Sequence, residues 1–211
     1  MKTNADVGYL MSSNKELLDN VATEVVVCTK CCLWKCRKKA VPGVGNPESK
    51  LMLVGEAPGR SEDIQGEPFV GAAGKLLDTL LSEIGFSRTQ VFITNVVKCR
   101  PPENRDPLPD EIEMCTPYLN RQIGIIQPAV IITLGKHSTA YVLGRANLPF
   151  RSITQVHGKV REAIIFGVET VVFPTFHPAA ALYNAQYENQ IRDDFQMVKK
   201  ELLKRERVTR Q

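Results

Sequence analysis

Four short apolar runs, separated by long intervals, constrain the fold of this chain more than any other feature. Each has the length of a strand, and most are rich in β-branched residues. Short apolar strands that alternate with helices are typical of a parallel sheet covered on both faces. We therefore predict an α/β protein, a three-layer α/β/α fold with a central, mainly parallel, four-stranded sheet. The four runs are LMLVG at 51–55, VFITNVV at 91–97, AVIITLG at 129–135 and TVVFPTF at 170–176.

Apolar residues at helical spacing occupy most of the chain between these runs. After the third run, the pattern predicts only a short helix and then a looser stretch that can hold a β-hairpin, at 153–160 and 163–166. The predicted helices are 14–27, 73–86, about 109–126, 136–143 and about 190–205.

Residues that follow the strands are the first candidates for a functional site, because ligands of such sheets bind outside the carboxyl ends of the strands. Asn95 offers a donor and an acceptor, although an Asn here can also form a cap or turn. His177 can donate to a developing anion, but a structural histidine fits equally well. Phe69 lies in a Gly/Pro-flanked loop, where its ring can stack on a flat base or simply pack. His137 and His157 are interpreted as structural.

The loop GEAPGRSED at 55–63 follows the first strand. Its backbone N–H groups can cradle a phosphate, or the loop can merely turn the chain. No Gly-Lys-Ser/Thr follows, so it is not a Walker loop. Glu56, Glu62 and Asp63 make it acidic, which argues against a phosphate held by charge.

The six cysteines are spaced as in a metal site. In a cytosolic protein, cysteines are more often metal ligands or catalytic residues than disulfides, with hyperthermophiles as the exception. A C-x2-C pair and two distant thiols can supply four thiolates to zinc or to an iron–sulfur cluster, and ligand type alone leaves both open. The candidate ligands are Cys28, Cys31, Cys99 and Cys115. The other two, Cys32 and Cys36, can be buried small residues, a disulfide pair or substitute ligands.

The formal net charge of +4 suits a polyanionic partner without requiring one. Basic clusters lie at 35–39 and at 199–211, where a solvated helix face is the simpler interpretation of the second. No long apolar run and no secretory signal occur, so we expect a cytoplasmic protein without membrane contact. The length favours one domain at 28–205, preceded by a leader and helix at 1–27 and followed by a basic tail at 206–211.

Together these motifs resemble family 4 uracil-DNA glycosylases, the thermostable bacterial and archaeal type with a [4Fe-4S] cluster. The resemblance covers most of residues 28–195, and the ordered set is more specific than any single motif. The two extra cysteines, the leader and Tyr183 depart from the family pattern. The matching motifs are CTKC (28–31) with Leu33 and Arg37, VPGVG (41–45), VGEAPGRSEDIQGEPFVGAAGKLL (54–77), ITNVVKCRPPENRDP (93–107), Cys115-Thr-Pro, LGKHS (134–138) and PTFHPAA (174–180).

The resemblance implies a DNA-repair enzyme that flips uracil out of single- or double-stranded DNA, hydrolyses its N-glycosidic bond and leaves an abasic site. The implied ligands of the [4Fe-4S] cluster are Cys28, Cys31, Cys99 and Cys115. The implied uracil pocket consists of the backbone of Gly55, Glu56 and Ala57 with the side chains of Phe69, Asn95 and His177.

For catalysis, the resemblance points to Glu56, Asn95 and His177. Ala57 stands where the best-known members of the superfamily carry an aspartate, so Glu56 is the first candidate for orienting the attacking water and Asn95 the second. No lysine lies at an obvious nucleophile position, which predicts a monofunctional enzyme. Glu62 is the hypothesised wall that rejects the methyl group of thymine.

On the DNA, Leu182 or Tyr183 is expected to fill the gap left by the flipped base, and Arg37 to contact the strand. We expect a monomer associated with the nucleoid, with a sliding clamp as a candidate partner. Two other function classes compete: a non-enzymatic iron–sulfur or zinc module that binds nucleic acid, and a redox carrier. A zinc deaminase is disfavoured because no histidine begins an H-x-E motif.

Overall fold

The chain folds around one six-stranded sheet; a computed structural model describes residues 12–209, with side chains as far as residue 205. The strands are β1 (Val44–Gly45), β2 (Leu51–Gly55), β3 (Phe92–Asn95), β4 (Val130–Leu134), β5 (Arg161–Ile165) and β6 (Val168–Thr175). The α-helices are α1 (Asn14–Val27), α2 (Arg60–Gln65), α3 (Ala72–Glu83), α4 (Pro109–Ile126), α5 (Lys136–Arg145), α6 (Ile153–Val156), α7 (Pro178–Ala181) and α8 (Ala185–Thr209). The sheet order is β1-β3-β2-β4-β6-β5.

The sheet separates two apolar layers. Met52 and Val54 of β2 pack in one cluster with α1, α4 and α5, whereas Leu51 and Leu53 pack in the other with α3 and α8. Every residue of β2 and β4 is buried, because helices cover both faces. This double burial is why the strands appear in the sequence as continuous apolar runs, and it confirms the predicted three-layer α/β/α class.

The predicted four-stranded count is wrong, because the sheet has two further strands. The four expected strands pair in parallel, but β1 and β5 add antiparallel edges. β1 is only two residues long, too short to show a periodicity. β5 is an edge strand with mostly exposed residues, and its hairpin with β6 turns through Phe166 and Gly167, both with positive φ. Residues 153–156, predicted as part of a hairpin, form helix α6 instead.

Helix α1 begins at a capping box in which Ser13 and Glu16 satisfy each other's backbone N–H groups. Its buried residues Val21 and Val25 belong to the apolar layer that contains α4, so α1 packs on the domain. Residues 1–11 of the predicted leader lie outside the described residues, and of the predicted tail only the helical backbone to Thr209 is described. None of the described helices is both long and apolar enough to cross a membrane.

Candidate active site

A cleft of about 390 Å³ opens at the carboxyl ends of the parallel strands. It receives residues from the β2–α2 loop, the segment before α3, the end of β3 and the start of α7. Residues that are far apart in the sequence are therefore neighbours at one edge of the sheet, as the strand-end rule predicts. The lining residues used below are Glu56, Ala57, Glu62, Phe69, Asn95, Arg105, His177 and Tyr183.

Asn95 lies at the floor of the cleft with one polar atom unsatisfied. Its side chain is buried, and no described residue forms a hydrogen bond with its Oδ1 atom. Buried polar atoms are nearly always paired, so this oxygen is suited to accept from a ligand. Gly55 pairs with Asn95 across β2 and β3 and leaves room for the Asn95 side chain. A Cβ atom at Gly55 would lie 2.3 Å from Oδ1 of Asn95. The alternative interpretation of Asn95, as a cap or turn residue, does not explain this arrangement.

Phe69 is held in the cleft wall by a strained loop. Its φ is 54°, a left-handed conformation that is unfavourable for a bulky side chain and is found mainly where the surroundings enforce it. The Arg88 guanidinium enforces it by donating to the carbonyl oxygens of Pro68 and Phe69. Gly74 leaves room for the same turn, because a Cβ there would collide with the Phe69 carbonyl.

Glu62 fastens the other end of this loop. Its Oε1 atom accepts from the backbone N–H groups of Val70 and Gly71, at 2.9 and 3.0 Å. The residue lines the cleft, as the predicted thymine wall requires, but its carboxylate is also a structural anchor for the segment that carries Phe69.

His177 lines the cleft with one of its ring nitrogens already engaged by the backbone. It is the N-cap of α7, and its Nδ1 atom accepts from the backbone N–H of Ala179 at 3.1 Å. Burial lowers the pKa of His177 from 6.5 to about 4, so the ring is neutral at pH 7. With Nδ1 as the acceptor, the ring proton is on Nε2. The ring stacks on Phe69, with centroids 5.6 Å apart and planes inclined by 25°.

Glu56 lies at the rim of the cleft beside a histidine and an aspartate. Its Oε2 atom is 4.0 Å from Nε2 of His137, which in turn is 2.9 Å from Oδ2 of Asp106. Burial raises the pKa of Glu56 above its ordinary value, and the His137 ring opposes that rise. Ala57 lines the cleft without adding a polar group.

The two residues predicted to enter DNA follow α7 directly. Tyr183 is 91% exposed and also lines the cleft, whereas Leu182 is 49% exposed. Large apolar side chains this exposed beside a cleft have few packing contacts to lose when they move into a partner. The structure thus places both at the rim, with Tyr183 nearer the cleft.

The four predicted ligand cysteines line a second, separate cavity, between the C-terminal end of α1, the β3–α4 loop and α4. Burial raises the pKa of the Cys115 thiol to about 12, and it also raises the pKa values of Cys31 and Cys99. Four thiolates gathered here therefore need a bound cationic centre to compensate their charge. These donors fit such a centre.

Arg37 and the two extra cysteines surround this cavity without completing a ligand set. Arg37 donates to Sγ of Cys99 at 3.1 Å and to the Val26 carbonyl oxygen at 2.7 Å, so part of its guanidinium is engaged within the protein. Cys32 donates to the Glu111 carboxylate at 3.2 Å, and Cys36 is exposed.

Comparison with known proteins agrees with this architecture. The sequence model of the uracil DNA glycosylase superfamily matches residues 42–202. The chain belongs to this superfamily. Proteins named type-4 uracil-DNA glycosylase are similar over nearly the whole chain, which confirms the resemblance found in the sequence.

Three of these relatives show the extent of the similarity. The one from Saccharolobus solfataricus is 56% identical over 186 residues, which cover 88% of this chain and 86% of the relative. The one from Sulfurisphaera tokodaii is 52% identical over 193 residues, with coverages of 91% and 88%. The one from Archaeoglobus fulgidus is 48% identical over 183 residues, with coverages of 87% and 92%.

Sequence reasoning missed three contributors to the two sites. His137 was interpreted as structural, although it follows β4 and the strand-end rule pointed to it. Asp106 gave no signal, because it comes from the loop before α4. Lys98 was unremarkable in the sequence, yet it is fully buried and donates to Asn95 O, Thr94 Oγ1 and Gln122 Oε1. Because its backbone N–H donates to Sγ of Cys115, Lys98 links the cysteine cavity to the strand that carries Asn95.

Proposed function

We propose that this protein is a monofunctional uracil-DNA glycosylase that flips uracil out of DNA, hydrolyses its N-glycosidic bond and leaves an abasic site. The observation that carries the proposal is the convergence of three groups on one cleft. These are the unsatisfied buried oxygen of Asn95, the Phe69 ring and the Nε2–H of His177. The relatives named type-4 uracil-DNA glycosylase support it.

Asn95 is the proposed reader of the base. Its Oδ1 atom accepts from N3–H of uracil, and its amide nitrogen donates to O4. Cytosine presents an acceptor at N3 and a donor at C4, so each bond would be replaced by an unpaired buried group, at a cost of about 1–3 kcal/mol. Glu62, beside the Phe69 loop, is the proposed barrier to the 5-methyl group of thymine.

His177 is proposed to stabilise the leaving base. As the bond between C1′ and N1 breaks, the sugar gains oxocarbenium character and negative charge develops on uracil O2. A neutral ring with its proton on Nε2 donates to that oxygen without first losing a charge. One such donor contributes roughly 3–4 kcal/mol of transition-state stabilisation in other enzymes. Phe69 holds the ring plane by stacking.

Glu56 is proposed to orient the water whose oxygen attacks C1′ and to accept its proton. The proposal rests on its place at the cleft rim, since Ala57 supplies no carboxylate. Water adds to the sugar and the uracil anion takes up a proton, so the reaction needs no other co-reactant. All these groups come from one chain, which supports action as a monomer.

For DNA binding, the enzyme must pay a few kcal/mol to unstack and extrude a paired uracil. Tyr183, with Leu182 beside it, is the proposed wedge that occupies the vacated space. Lys35, Arg37, Lys38 and Lys39 are proposed to supply positive charge for phosphates, and Arg37 also donates to a cysteine of the second cavity. We expect uracil in single- and double-stranded DNA to be cleaved, with binding that weakens as salt rises.

The cysteine cavity is proposed to hold a [4Fe-4S] cluster through Cys28, Cys31, Cys99 and Cys115, with zinc as the alternative. The relatives named type-4 uracil-DNA glycosylase support the cluster, and the four cysteines that line this cavity are suited to hold it. Its role is structural: it ties the end of α1 and the basic segment 35–39 to the loop after β3. The cluster would thereby fasten the N-terminal side of the domain proposed for 28–205. We propose that the protein acts in the cytoplasm, at the nucleoid.

The decisive test is release of free uracil from a single-stranded oligonucleotide with one uracil, against matched strands with thymine or cytosine. We expect cleavage of the uracil strand alone, and loss of cleavage in Asn95→Ala and His177→Ala. DNA binding without uracil release would instead favour the nucleic-acid-binding module. A borohydride-reducible adduct with DNA would contradict the monofunctional mechanism.

A further inference from the structure

We propose that His137 is a positioning residue that keeps the Glu56 carboxylate ionised, and that Asp106 holds the His137 ring for this purpose. The proposal rests on the water-orienting role of Glu56 given above. It assigns a function to a histidine outside the set that binds uracil.

The protonation of the His137 ring follows from its neighbours. Its Nε2 atom faces two carboxylates, Asp106 at 2.9 Å and Glu56 at 4.0 Å. A lone pair directed at two anions would be repelled, so this nitrogen carries a proton. The Asp106 carboxylate accepts that proton in a hydrogen bond and so fixes the ring beside Glu56. The charge interaction between His137 and Glu56 lowers the pKa of the Glu56 carboxyl group.

The position of Asp106 is built into the fold. The loop before it contains two successive left-handed residues, Glu103 (φ 55°) and Asn104 (φ 56°), which are costly away from glycine. Arg105 anchors the loop with two hydrogen bonds to the Glu111 carboxylate, at 2.6 and 2.8 Å. Glu111 is fully buried there and also accepts from the backbone N–H of Leu108. This strain and anchoring separate the arrangement from a chance contact of surface charges.

Glu56 needs a positive neighbour. Burial, and to a lesser degree the Asp106 carboxylate, disfavour its charged form, whereas a general base or water-orienting group must be ionised to work. An opposite charge within about 4–6 Å typically lowers a carboxyl pKa by about 1–3 units. Of the groups that lower the pKa of Glu56, His137 has a larger effect than exposed Lys136. The other ionisable groups around Glu56 and the cleft are Asp106, Lys136, Arg105, Glu62, Tyr183 and His177.

The test is the pH profile of the single-turnover rate of uracil release, from about pH 5 to about pH 9, in EDTA so that no metal ion bridges the three side chains. In the wild type, the acid limb reports Glu56 and disappears in Glu56→Gln. In His137→Gln we expect this limb to move up by about one pH unit, with the high-pH plateau within about threefold of wild type. At one pH unit below the wild-type midpoint, the rate of His137→Gln is expected to be about tenfold lower than the wild-type rate.

Two variants distinguish charge from structure. His137→Lys places a permanent cation at this position and is expected to return the acid limb to within about 0.3 units of wild type. Lys136→Gln removes the neighbouring exposed charge and is the matched control, with an expected shift below about 0.3 units. Equal loss of rate at every pH in His137→Gln, or no rescue by lysine, overturns the proposal.

A direct measurement separates this inference from the proposed function. The ¹³C signal of the Glu56 carboxyl group, assigned by its absence in Glu56→Gln, gives its pKa without any assay of catalysis. A higher midpoint in His137→Gln supports the proposal, and an unchanged midpoint overturns it. If the wild type released no uracil, the proposed function would fail while this titration still decided the role of His137.

Discussion

Gly55 and Asn95 face each other across β2 and β3, and the Asn95 amide occupies the space that any side chain at Gly55 would need. A Cβ atom at Gly55 would lie 2.3 Å from Oδ1 of Asn95 and 2.7 Å from Cζ of Phe69. Neither neighbour can move freely, because Asn95 is buried at a strand end and the Phe69 loop is anchored by Arg88 and Glu62.

Gly55→Ala should therefore abolish activity more than it affects folding. We expect the single-turnover rate to fall by at least about 100-fold and stability by about 1–3 kcal/mol, the usual cost of overpacking. The matched control is Gly124→Ala in α4, where a Cβ meets no atom within 4 Å. That change should leave the rate unaltered and stabilise the helix by about 0.5–1 kcal/mol. Equal rates in the two variants would contradict the close approach.

Asn95→Ala should remove base recognition. Losing one or two hydrogen bonds to uracil costs about 1–3 kcal/mol each, so we expect a loss of about 10- to 1000-fold in single-turnover rate. Inhibition by free uracil should weaken in parallel. Asn120→Ala, on α4 and hydrogen-bonded to Tyr141, is the control and should bind uracil normally. Normal uracil inhibition in Asn95→Ala would exclude the proposed contact.

His177 should make stability depend on pH in a defined window. Its pKa is lowered from 6.5 to about 4 by burial, so between these values the unfolded chain binds a proton that the folded chain does not. Stability should fall as pH drops from about 6.5 to about 4, and should not depend on this residue above 6.5. In urea unfolding experiments, the free energy of unfolding of His177→Asn should fall over that pH range by about 2 kcal/mol less than the free energy of unfolding of the wild type. Parallel losses in both proteins would show that another group is responsible.

Tyr183→Ala should affect duplex DNA selectively. A single-stranded uracil needs no wedge, whereas a paired one leaves a gap that an apolar side chain must fill. We expect the rate on duplex to fall by about tenfold or more and the rate on single strands by less than about threefold. The single strand is the internal control. A uniform loss on both substrates would place Tyr183 in the uracil pocket instead.

Cys99→Ala should remove the cluster and destabilise the domain. We expect loss of a broad absorbance band near about 400 nm, loss of bound iron and weaker DNA binding together. Cys36→Ala, an exposed cysteine outside the proposed set, should keep all three properties. A colourless wild-type protein that contains zinc would decide for the alternative metal.

The four central strands and the fold class could be predicted because strands that are buried on both faces appear in the sequence as continuous apolar runs. The edge strands could not, because β1 has two residues and the residues of β5 are mostly exposed. Cleft residues such as Asn95 and His177 were predictable because the carboxyl ends of parallel strands lie at the same edge of the sheet.

Residues that act through a loop or a buried contact were harder to predict. Asp106 reaches His137 because the loop before it contains two left-handed residues. The local sequence does not predict that conformation. Lys98 would be expected on the surface, yet three acceptors hold its side-chain nitrogen in the interior. The sequence also gave no sign that Arg37 donates to Cys99 and to the end of a helix; its predicted contact with DNA stays a prediction.

The hydrogen bonds of Lys98 couple the cysteine cavity to the residue at the end of β3. One residue touches both Sγ of Cys115 and the carbonyl oxygen of Asn95, so a change at the cysteine cavity is transmitted to the peptide of Asn95. If this cavity holds the proposed cluster, loss of the cluster to oxidants should displace the Asn95 amide and lower uracil release, even though no cysteine lies in the cleft.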